Sequence, residues 1–163
     1  MSEQHLYLIA LGGNVRHPRY GAPAQVLAAA TDSIDDAVGK VVASSPVMRS
    51  AAVGPSARQY ANAAIIVRSK LEPRDMLLAL KDLEAEYGRR TGGQRWSART
   101  LDCDIVLWSG GVWADDALTI PHPLFRERDF VLQPAAAIAP DWRDPLTNLS
   151  IRQLLFRNRH QGA

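Results

Sequence analysis

Hydrophobic residues along the first part of the chain follow two spacings that distinguish a strand from a helix. Residues 5–11 form a short apolar run with β-branched and aromatic side chains, and the turn-forming sequence Gly-Gly-Asn follows at residues 12–14. Residues 22–38 carry apolar side chains three or four positions apart, which predicts a helix that stops at Gly39. The chain is therefore expected to begin with a buried strand, a loop and an amphipathic helix.

The middle of the chain predicts two further strands, a second helix and a last strand. Residues 40–49 and 60–68 have a strand-like bias and are separated by a Gly-Pro turn signal at residues 54–55. A helical stripe then runs to the glycine at position 88, formed by Met76, Leu80, Leu83 and Tyr87. Residues 100–108 alternate between apolar and polar side chains, as a strand with one buried face does.

The order of these elements is β-α-β-β-α-β, which is the split βαβ arrangement. We therefore expect an α+β fold with a ferredoxin-like antiparallel sheet and flanking helices. The last third predicts a short apolar helix over residues 130–138 and an amphipathic piece near residues 151–156. No repeat or linker divides the sequence, so residues 1–163 are expected to form one domain.

Composition narrows the class of protein. Apolar residues make up 47% of the chain and charged residues 22%, which is enough to bury a core. Nineteen Lys and Arg residues against seventeen Asp and Glu give a net charge of +2, too little for a protein that holds nucleic acid chiefly through phosphates. Cys103 is the single cysteine, which excludes an intrachain disulfide. With no signal-peptide pattern or long apolar stretch, we expect a cytoplasmic monomer with no nucleic-acid or membrane partner.

An acidic pair follows directly on an arginine-rich segment. Residues 89–99 contain four arginines and two glycines but no acidic residue. On the next strand, Asp102 and Asp104 share a face, roughly 6.5–7 Å apart at about 3.3 Å per residue. Two carboxylates suit Mg²⁺ that shares its coordination with phosphates and water, and guanidinium groups orient polyphosphate. The segment predicts a magnesium and nucleotide site; the alternative is that both aspartates only solvate the outer face of an edge strand.

The sequence also carries a resemblance to a known family. The common P-loop and protein-kinase nucleotide motifs do not occur in it. The run Arg-Trp-Ser-Ala-Arg-Thr-Leu-Asp-Cys-Asp-Ile at residues 95–105 resembles the signature of the 6-hydroxymethyl-7,8-dihydropterin pyrophosphokinase family. Four further segments resemble that family in the same order, at residues 11–14, 53–55, 60–64 and 119–122.

The resemblance implies an enzyme of folate biosynthesis that transfers pyrophosphate from ATP to 6-hydroxymethyl-7,8-dihydropterin, giving AMP and the pterin diphosphate. It implies catalytic roles for Asp102, Asp104, Arg89 and Arg99, with the two aspartates holding two Mg²⁺ ions. It places around the nucleotide Glu84, Ile105, Thr119, His122 and Arg128. It places around the pterin Val53, Gly54, Tyr60, Asn62 and Phe130, with Trp96 closing over the site from the arginine-rich segment.

The chain departs from the family pattern at several positions. Gly13 stands for a common serine, Ser97-Ala98 for a Gly-Pro pair, and Thr91 for a frequent arginine. Pro123 follows the histidine where an aromatic residue is frequent. Cys103 replaces an aliphatic residue and is expected to point to the buried face. These changes leave the implied chemistry in place and point to looser closure of the arginine-rich segment.

Simpler roles compete with several of these assignments. Trp96 and Phe130 could be packing residues, and His122 could be ordinary loop structure. Glu84 lies at the edge of an apolar stripe, where an unpaired carboxylate is costly, so it needs a ligand or a partner such as Lys81 or Arg89. The remaining histidines lack metal-ligand spacing and are expected at the surface: His5, His17 and His160.

Two other functions compete with the transferase. Ferredoxin-like sheets also bind RNA through exposed aromatic residues, but no such aromatic pair is evident here, and two outward aspartates would repel phosphate in the absence of metal. A relative that binds pterin or nucleotide without turnover is the other alternative, and the retained acidic pair argues against it.

Overall fold

The computed structural model describes residues 3–50, 60–89 and 100–161, except for the side chains of Ser50 and Arg89. Seven strands and four helices occur in this part of the chain. They are β1 (His5–Gly13), α1 (Pro23–Ala37), β2 (Lys40–Ser44), β3 (Met48–Ser50), β4 (Tyr60–Ser69), α2 (Pro73–Arg89), β5 (Asp102–Trp108), β6 (Trp113–Ala114), β7 (Thr119–Ile120), α3 (Asp129–Ile138) and α4 (Ile151–Gln161). A 3-10 turn at Phe125–Glu127 precedes α3.

One antiparallel sheet has the order β2, β4, β1, β5, and β3 pairs with the other end of β4. The first and third main strands are thus central, and the crossover helices α1 and α2 connect strands that are not neighbours. This is the strand order of the split βαβ arrangement. The expected α+β, ferredoxin-like fold is confirmed.

Helices α1 and α2 cover one face of the sheet. The predicted stripe on α2 is buried along its whole length, as are four positions of the α1 stripe. They pack against alternate residues of the central strands, including Tyr7, Ile9 and Leu11 of β1. Burying a large apolar side chain contributes about 1.5–3 kcal/mol, so these two stripes supply much of the stability of the fold.

The opposite face of the sheet is only partly covered. Leu8, Ala64 and Leu107 lie at one end of this face and pack against α3 and α4 through residues such as Leu132 and Leu154. Toward the other end the same face carries polar or very small side chains. Because the helices stop short of it, this end of the sheet is left as the floor of a depression. Across residues 3–50, 60–89 and 100–161, no helix is both long and apolar enough to cross a membrane.

Two strand boundaries differ from the expectation. β1 continues through both glycines to Gly13, because pairing with β4 on one side and β5 on the other outweighs the turn tendency of Gly-Gly-Asn. The strand expected over residues 40–49 is divided into β2 and β3, and both parts pair with β4. The interruption falls at the sequence Ser-Pro-Val, where proline cannot donate a ladder hydrogen bond.

The expectation of surface histidines is wrong for two of the three. His5 is buried beside Tyr7 and Trp108 and lies 3.4 Å from a carboxylate oxygen of Glu72. His17 is buried, and its Nδ1 accepts hydrogen bonds from two backbone N–H groups of the loop before α1. Only His160, on α4, is exposed. Imidazole is small and amphipathic, so sequence spacing alone does not distinguish a buried histidine from a surface one.

Candidate active site

A cavity of about 560 Å³ lies over the open end of the sheet. It is lined from β1 and the turn after it, from β4 and β5, and from the start of α3. The lining residues are Ala10, Leu11, Gly12, Gly13, Asn14, Tyr60, Asn62, Asp102, Asp104, Arg128, Phe130 and Val131. Six of the sequence-predicted site residues therefore line one cavity. Four of them form the two strand pairs that alternation placed on a common face, Tyr60 with Asn62 on β4 and Asp102 with Asp104 on β5, and the other two are Arg128 and Phe130.

The strand register explains the floor of this cavity. Gly12 of β1 pairs with Asn62 of β4 on one side and with Asp102 of β5 on the other. A Cβ atom at Gly12 would lie 3.1 Å from Asn62 Oδ1, tighter than most real contacts. The central strand thus presents bare backbone between an amide and a carboxylate. In the next row, the small Ala10 pairs with Asp104.

The two aspartates face the cavity from the last strand of the sheet, Asp102 half-buried and Asp104 exposed. Within the described residues, no group of three or more His, Cys, Asp or Glu side chains could hold a metal ion. Two carboxylates on one strand face nevertheless fit Mg²⁺, which commonly takes one or two protein carboxylates and completes its octahedron with water and substrate phosphates. The donor set suits an ion that arrives with a phosphate-bearing substrate.

Aromatic side chains form the walls of the cavity. Tyr60 is 45% exposed and Phe130 is 43% exposed, although both border an otherwise well-packed part of the molecule. The guanidinium of Arg128 lies 5.6 Å from the centre of the Phe130 ring. Exposed rings beside a hydrogen-bonding amide are suited to a flat heteroaromatic ligand, because rings supply apolar contact and the amide supplies orientation.

The free edge of β5 gathers most of the other predicted residues, which lie outside the cavity lining. Glu84 of α2 accepts a hydrogen bond from the backbone N–H of Cys103 at 2.6 Å. The backbone N–H of His122 donates to the carbonyl of Val106 at 3.1 Å. Ile105 lies between these two anchor points, and β7, which contains Thr119, packs against β5. Glu84 thus has the partner that its position demanded, and it is a backbone group.

Two side chains at this edge have shifted pKa values. Burial raises the pKa of Glu84, the Cys103 N–H opposes this, and the nearby Asp102 and Asp104 carboxylates raise it further, so the net shift is upward. Burial lowers the pKa of His122; Asp104 opposes the shift and Arg128 adds to it. Since His122 Nδ1 accepts the N–H of Leu124 at 3.1 Å, the neutral ring carries its proton on Nε2.

Cys103 lies on the buried face, as the alternation predicted. It is packed in the core between the sheet and α2, and burial raises the pKa of its thiol well above the ordinary value. It therefore behaves as a small apolar side chain.

Several predicted residues lie outside the described part of the chain. They are Val53, Gly54, Trp96 and Arg99, together with the side chain of Arg89. Conversely, six lining positions are not among the predicted site residues, although residues 11–14 were matched to a family segment: Ala10, Gly12, Leu11, Gly13, Asn14 and Val131. The available signal for the first two was the presence of small residues at alternate positions of an otherwise bulky strand.

Comparison with known proteins identifies relatives over most of the chain. The family model for 7,8-dihydro-6-hydroxymethylpterin-pyrophosphokinase (HPPK) matches residues 8–140. The 2-amino-4-hydroxy-6-hydroxymethyldihydropteridine pyrophosphokinase of Pseudomonas aeruginosa is 36% identical over 144 residues, covering 87% of this chain and 85% of the relative. The protein of the same name from Synechocystis sp. is 40% identical over 107 residues, covering 66% of this chain. That match covers 54% of the Synechocystis protein, about half its length.

Solved structures show the same fold at low sequence identity. A triple mutant of Plasmodium falciparum HPPK-DHPS with STZ-DHP superposes with a TM-score of 0.73 and 13% identity, covering 96% of this chain. The chain corresponds to 44% of that longer protein. At this identity the likeness concerns the fold alone.

Proposed function

The chain belongs to the 7,8-dihydro-6-hydroxymethylpterin pyrophosphokinase family, and on that premise we propose that it transfers pyrophosphate from ATP to 6-hydroxymethyl-7,8-dihydropterin in folate biosynthesis. The observation that carries the proposal is the meeting of Asp102 and Asp104 with Asn62, Tyr60 and Phe130 in one cavity. A metal-phosphate site and a flat-ring site are thereby side by side. That adjacency is what a direct transfer between two bound substrates requires.

The pterin occupies the part of the cavity between the aromatic walls. The Asn62 side chain offers both a donor and an acceptor to the ring edge, as an amide must to recognise a fused pyrimidinone. Phe130 and Tyr60 contact the ring, and the bare backbone of Gly12 leaves room beneath it. The hydroxymethyl group then points toward β5 and its two carboxylates.

The triphosphate of ATP lies beside Asp102 and Asp104, with the nucleoside along the free edge of β5 near Glu84, Ile105, Thr119 and His122. Two Mg²⁺ ions held by the aspartates would neutralise the phosphate charge that builds up during transfer. Arg128 stands at the cavity and supplies a fixed positive charge to the phosphates or the adenosine. His122 supplies an Nε2–H donor at the same edge.

In the proposed reaction the pterin hydroxymethyl oxygen attacks the β-phosphorus of ATP. The bond between that phosphorus and the bridging oxygen to the α-phosphate breaks, and AMP departs with the bridging oxygen. The hydroxyl proton is released as the new O–P bond forms, so the products are AMP, the pterin diphosphate and a proton. The protein contributes chiefly by positioning and by charge, as in other phosphoryl-type transfers.

The residues outside the described ranges complete the proposal by resemblance. Arg89 and Arg99 contact phosphates, Val53 and Gly54 border the pterin, and Trp96 closes over both substrates. We further propose that residues 1–163 act as one domain and as a monomer in the cytoplasm, without nucleic-acid or membrane partners. The main sheet, with helices packed on both of its faces, supports the single domain.

Phosphorus NMR of the protein with ATP, Mg²⁺ and the hydroxymethylpterin tests the reaction. The expected result is AMP together with a new diphosphate ester whose formation depends on the pterin. A pterin that carries a methyl group in place of the hydroxymethyl group is the matched control and should give no ester. ADP in place of AMP, or AMP formed equally with the control pterin, would refute the proposed transfer.

A further inference from the structure

An ion pair between a fully buried aspartate and a half-buried arginine lies outside the cavity lining. Asp144 has no exposed surface and lies in the turn before α4, whereas Arg126 lies in the 3-10 turn before α3. The Nε of Arg126 donates to one carboxylate oxygen of Asp144 at 2.5 Å, and its Nη2 donates to the other at 2.8 Å. This two-point geometry fixes the direction of the arginine side chain as well as its charge.

Asp144 is held firmly on its own side of the pair. Its carboxylate also accepts the backbone N–H of Leu146 at 3.0 Å and the hydroxyl of Thr147 at 2.7 Å. Four donors therefore converge on one carboxylate, and they belong to two separate segments of the chain. A group satisfied in this way is a rigid anchor, because any displacement leaves a buried charge without partners.

Arg126 is attached through the backbone to the wall of the cavity. Its 3-10 turn is joined to His122 by the hydrogen bond from Phe125 N–H, and to Arg128, whose N–H donates to the Phe125 carbonyl at 3.3 Å. The carbonyl of Arg128 in turn accepts the N–H of Val131 in the first turn of α3. The short segment between β7 and α3 thus carries both Arg126 and Arg128, and Phe130 follows in the first turn of α3.

We propose that the Arg126–Asp144 pair is a positioning device that sets Arg128 and Phe130 at the substrate cavity. Arg128 and Phe130 follow the 3-10 turn in the chain, and Asp144 holds that turn in place through its hydrogen bonds with Arg126. Neither member of the pair lines the cavity, so both act through their neighbours. The kinetic consequence rests on the proposed function, whereas the structural consequence can be measured without any substrate.

The test compares Asp144→Asn with Asp141→Asn. Both are Asp-to-Asn changes in the segment between α3 and α4, but Asp141 is 83% exposed and pairs only loosely with Arg152, at 3.4 Å. Because a small misplacement of binding groups is costly, the KM for the pterin is expected to rise about tenfold in Asp144→Asn with kcat changed less than about threefold. Asp141→Asn should behave as wild type in both constants.

Hydrogen exchange of the backbone amides tests the proposed positioning role without any substrate. Amides of residues 122–131 should exchange faster in Asp144→Asn than in wild type, while those of the central strands β1 and β4 stay protected. Arg126→Lys keeps the charge but loses the two-point geometry, and it should show a smaller change in the same direction. It also serves if Asp144→Asn does not fold.

Unchanged pterin KM and unchanged exchange over residues 122–131 in folded variants would overturn the positioning role. A lowered melting temperature with unchanged KM would overturn it as well, since the pair would then only stabilise the fold. If the wild-type protein formed no pterin diphosphate, the proposed function would fail, and the exchange experiment would still decide whether Asp144 orders the cavity wall.

Discussion

At the scale of single residues, the site depends on the absence of a side chain at Gly12. Gly12 lies at the centre of the cavity floor, and a Cβ atom at this position would approach Asn62 Oδ1 to 3.1 Å. Gly12→Ala should therefore displace the Asn62 amide by a few tenths of an ångström and weaken its hydrogen bonds to the pterin. We expect the KM for the pterin to rise about tenfold, since a distorted polar contact costs about 1–2 kcal/mol.

Steady-state kinetics with each substrate varied in turn would measure this effect. The KM for ATP is the internal control, because the nucleotide is proposed to lie along the other edge of β5. An equal rise in both KM values would indicate a general disturbance of the sheet, and an unchanged pterin KM would place the pterin elsewhere.

The two aspartates make a second prediction at this scale. Asp102→Asn and Asp104→Asn keep the shape of the side chain but remove the charge that gathers magnesium, and each should lower turnover by about 100-fold or more. The melting temperature of Asp104→Asn should hold or rise, because removing one of two like charges relieves repulsion. Asp116→Asn, an exposed acid in the loop between β6 and β7, is the control. Full AMP production by both variants would contradict the metal assignment.

At the scale of elements, α2 is connected to the free edge of β5 through Glu84. An edge strand leaves backbone N–H groups without a strand partner, and the Glu84 carboxylate satisfies that of Cys103, between the two aspartates. Glu84→Ala should cost about 1–3 kcal/mol in the free energy of unfolding by leaving this buried donor unpaired. Glu84→Gln retains an acceptor oxygen and should lose less.

Urea denaturation would measure both free energies, and ATP titration would show whether the edge still receives the nucleotide. Glu86→Ala, an exposed acid two residues further along α2, should leave both quantities unchanged. Equal stability of Glu84→Ala and wild type would mean that the Cys103 contact contributes nothing to holding β5.

The elements also show what the sequence could and could not predict. The apolar stripe from Met76 to Tyr87 identified α2 and its buried face, and alternation placed Asp102 and Asp104 together, because both patterns are local. The extension of β1 through Gly13 was not predictable locally, since it depends on two partner strands. Likewise, no sequence pattern joins Arg126 to Asp144, which are 18 positions apart and meet only through the packing of α3 and α4.

The candidate site also combines residues that local patterns predict with residues whose positions depend on the packing of distant elements. The alternation of side chains on β4 and β5 predicted that Tyr60, Asn62 and the two aspartates share one side of the sheet. The position of Glu84 and His122 outside the cavity lining could not be predicted in this way, because it depends on which edge of β5 is free. The resemblance divided these residues between nucleotide and pterin, but it did not say that Glu84 and His122 lie along the free edge of β5.

At the scale of the whole molecule, the pH dependence of stability should reflect Asp144. Burial raises the pKa of Asp144, but the hydrogen bonds from Arg126, Leu146 and Thr147 lower it by more, so its pKa in the folded protein is below the ordinary value. A carboxyl group whose pKa is depressed by folding stabilises the protein above its unfolded pKa and loses that contribution as pH falls through the folded pKa. Wild-type stability should therefore decline below about pH 4.

Asp144→Asn removes that titration, so the difference in unfolding free energy between pH 7 and pH 3 should be smaller in the variant. At pH 7 the variant itself should be less stable by about 1.5–3 kcal/mol, the usual contribution of hydrogen bonds to a charged group, because Arg126 is 24% exposed and keeps contact with water. Asp115 is the comparison, because backbone hydrogen bonds from Ala117 and Leu118 and one from the Trp113 ring also lower its pKa, although it lies in an open loop. Asp115→Asn should flatten the pH profile less than Asp144→Asn. Urea unfolding of wild type, Asp144→Asn and Asp115→Asn between pH 3 and pH 7 measures how the free energy of unfolding depends on pH. Parallel profiles for wild type and Asp144→Asn would show that acid destabilises the fold at other carboxylates.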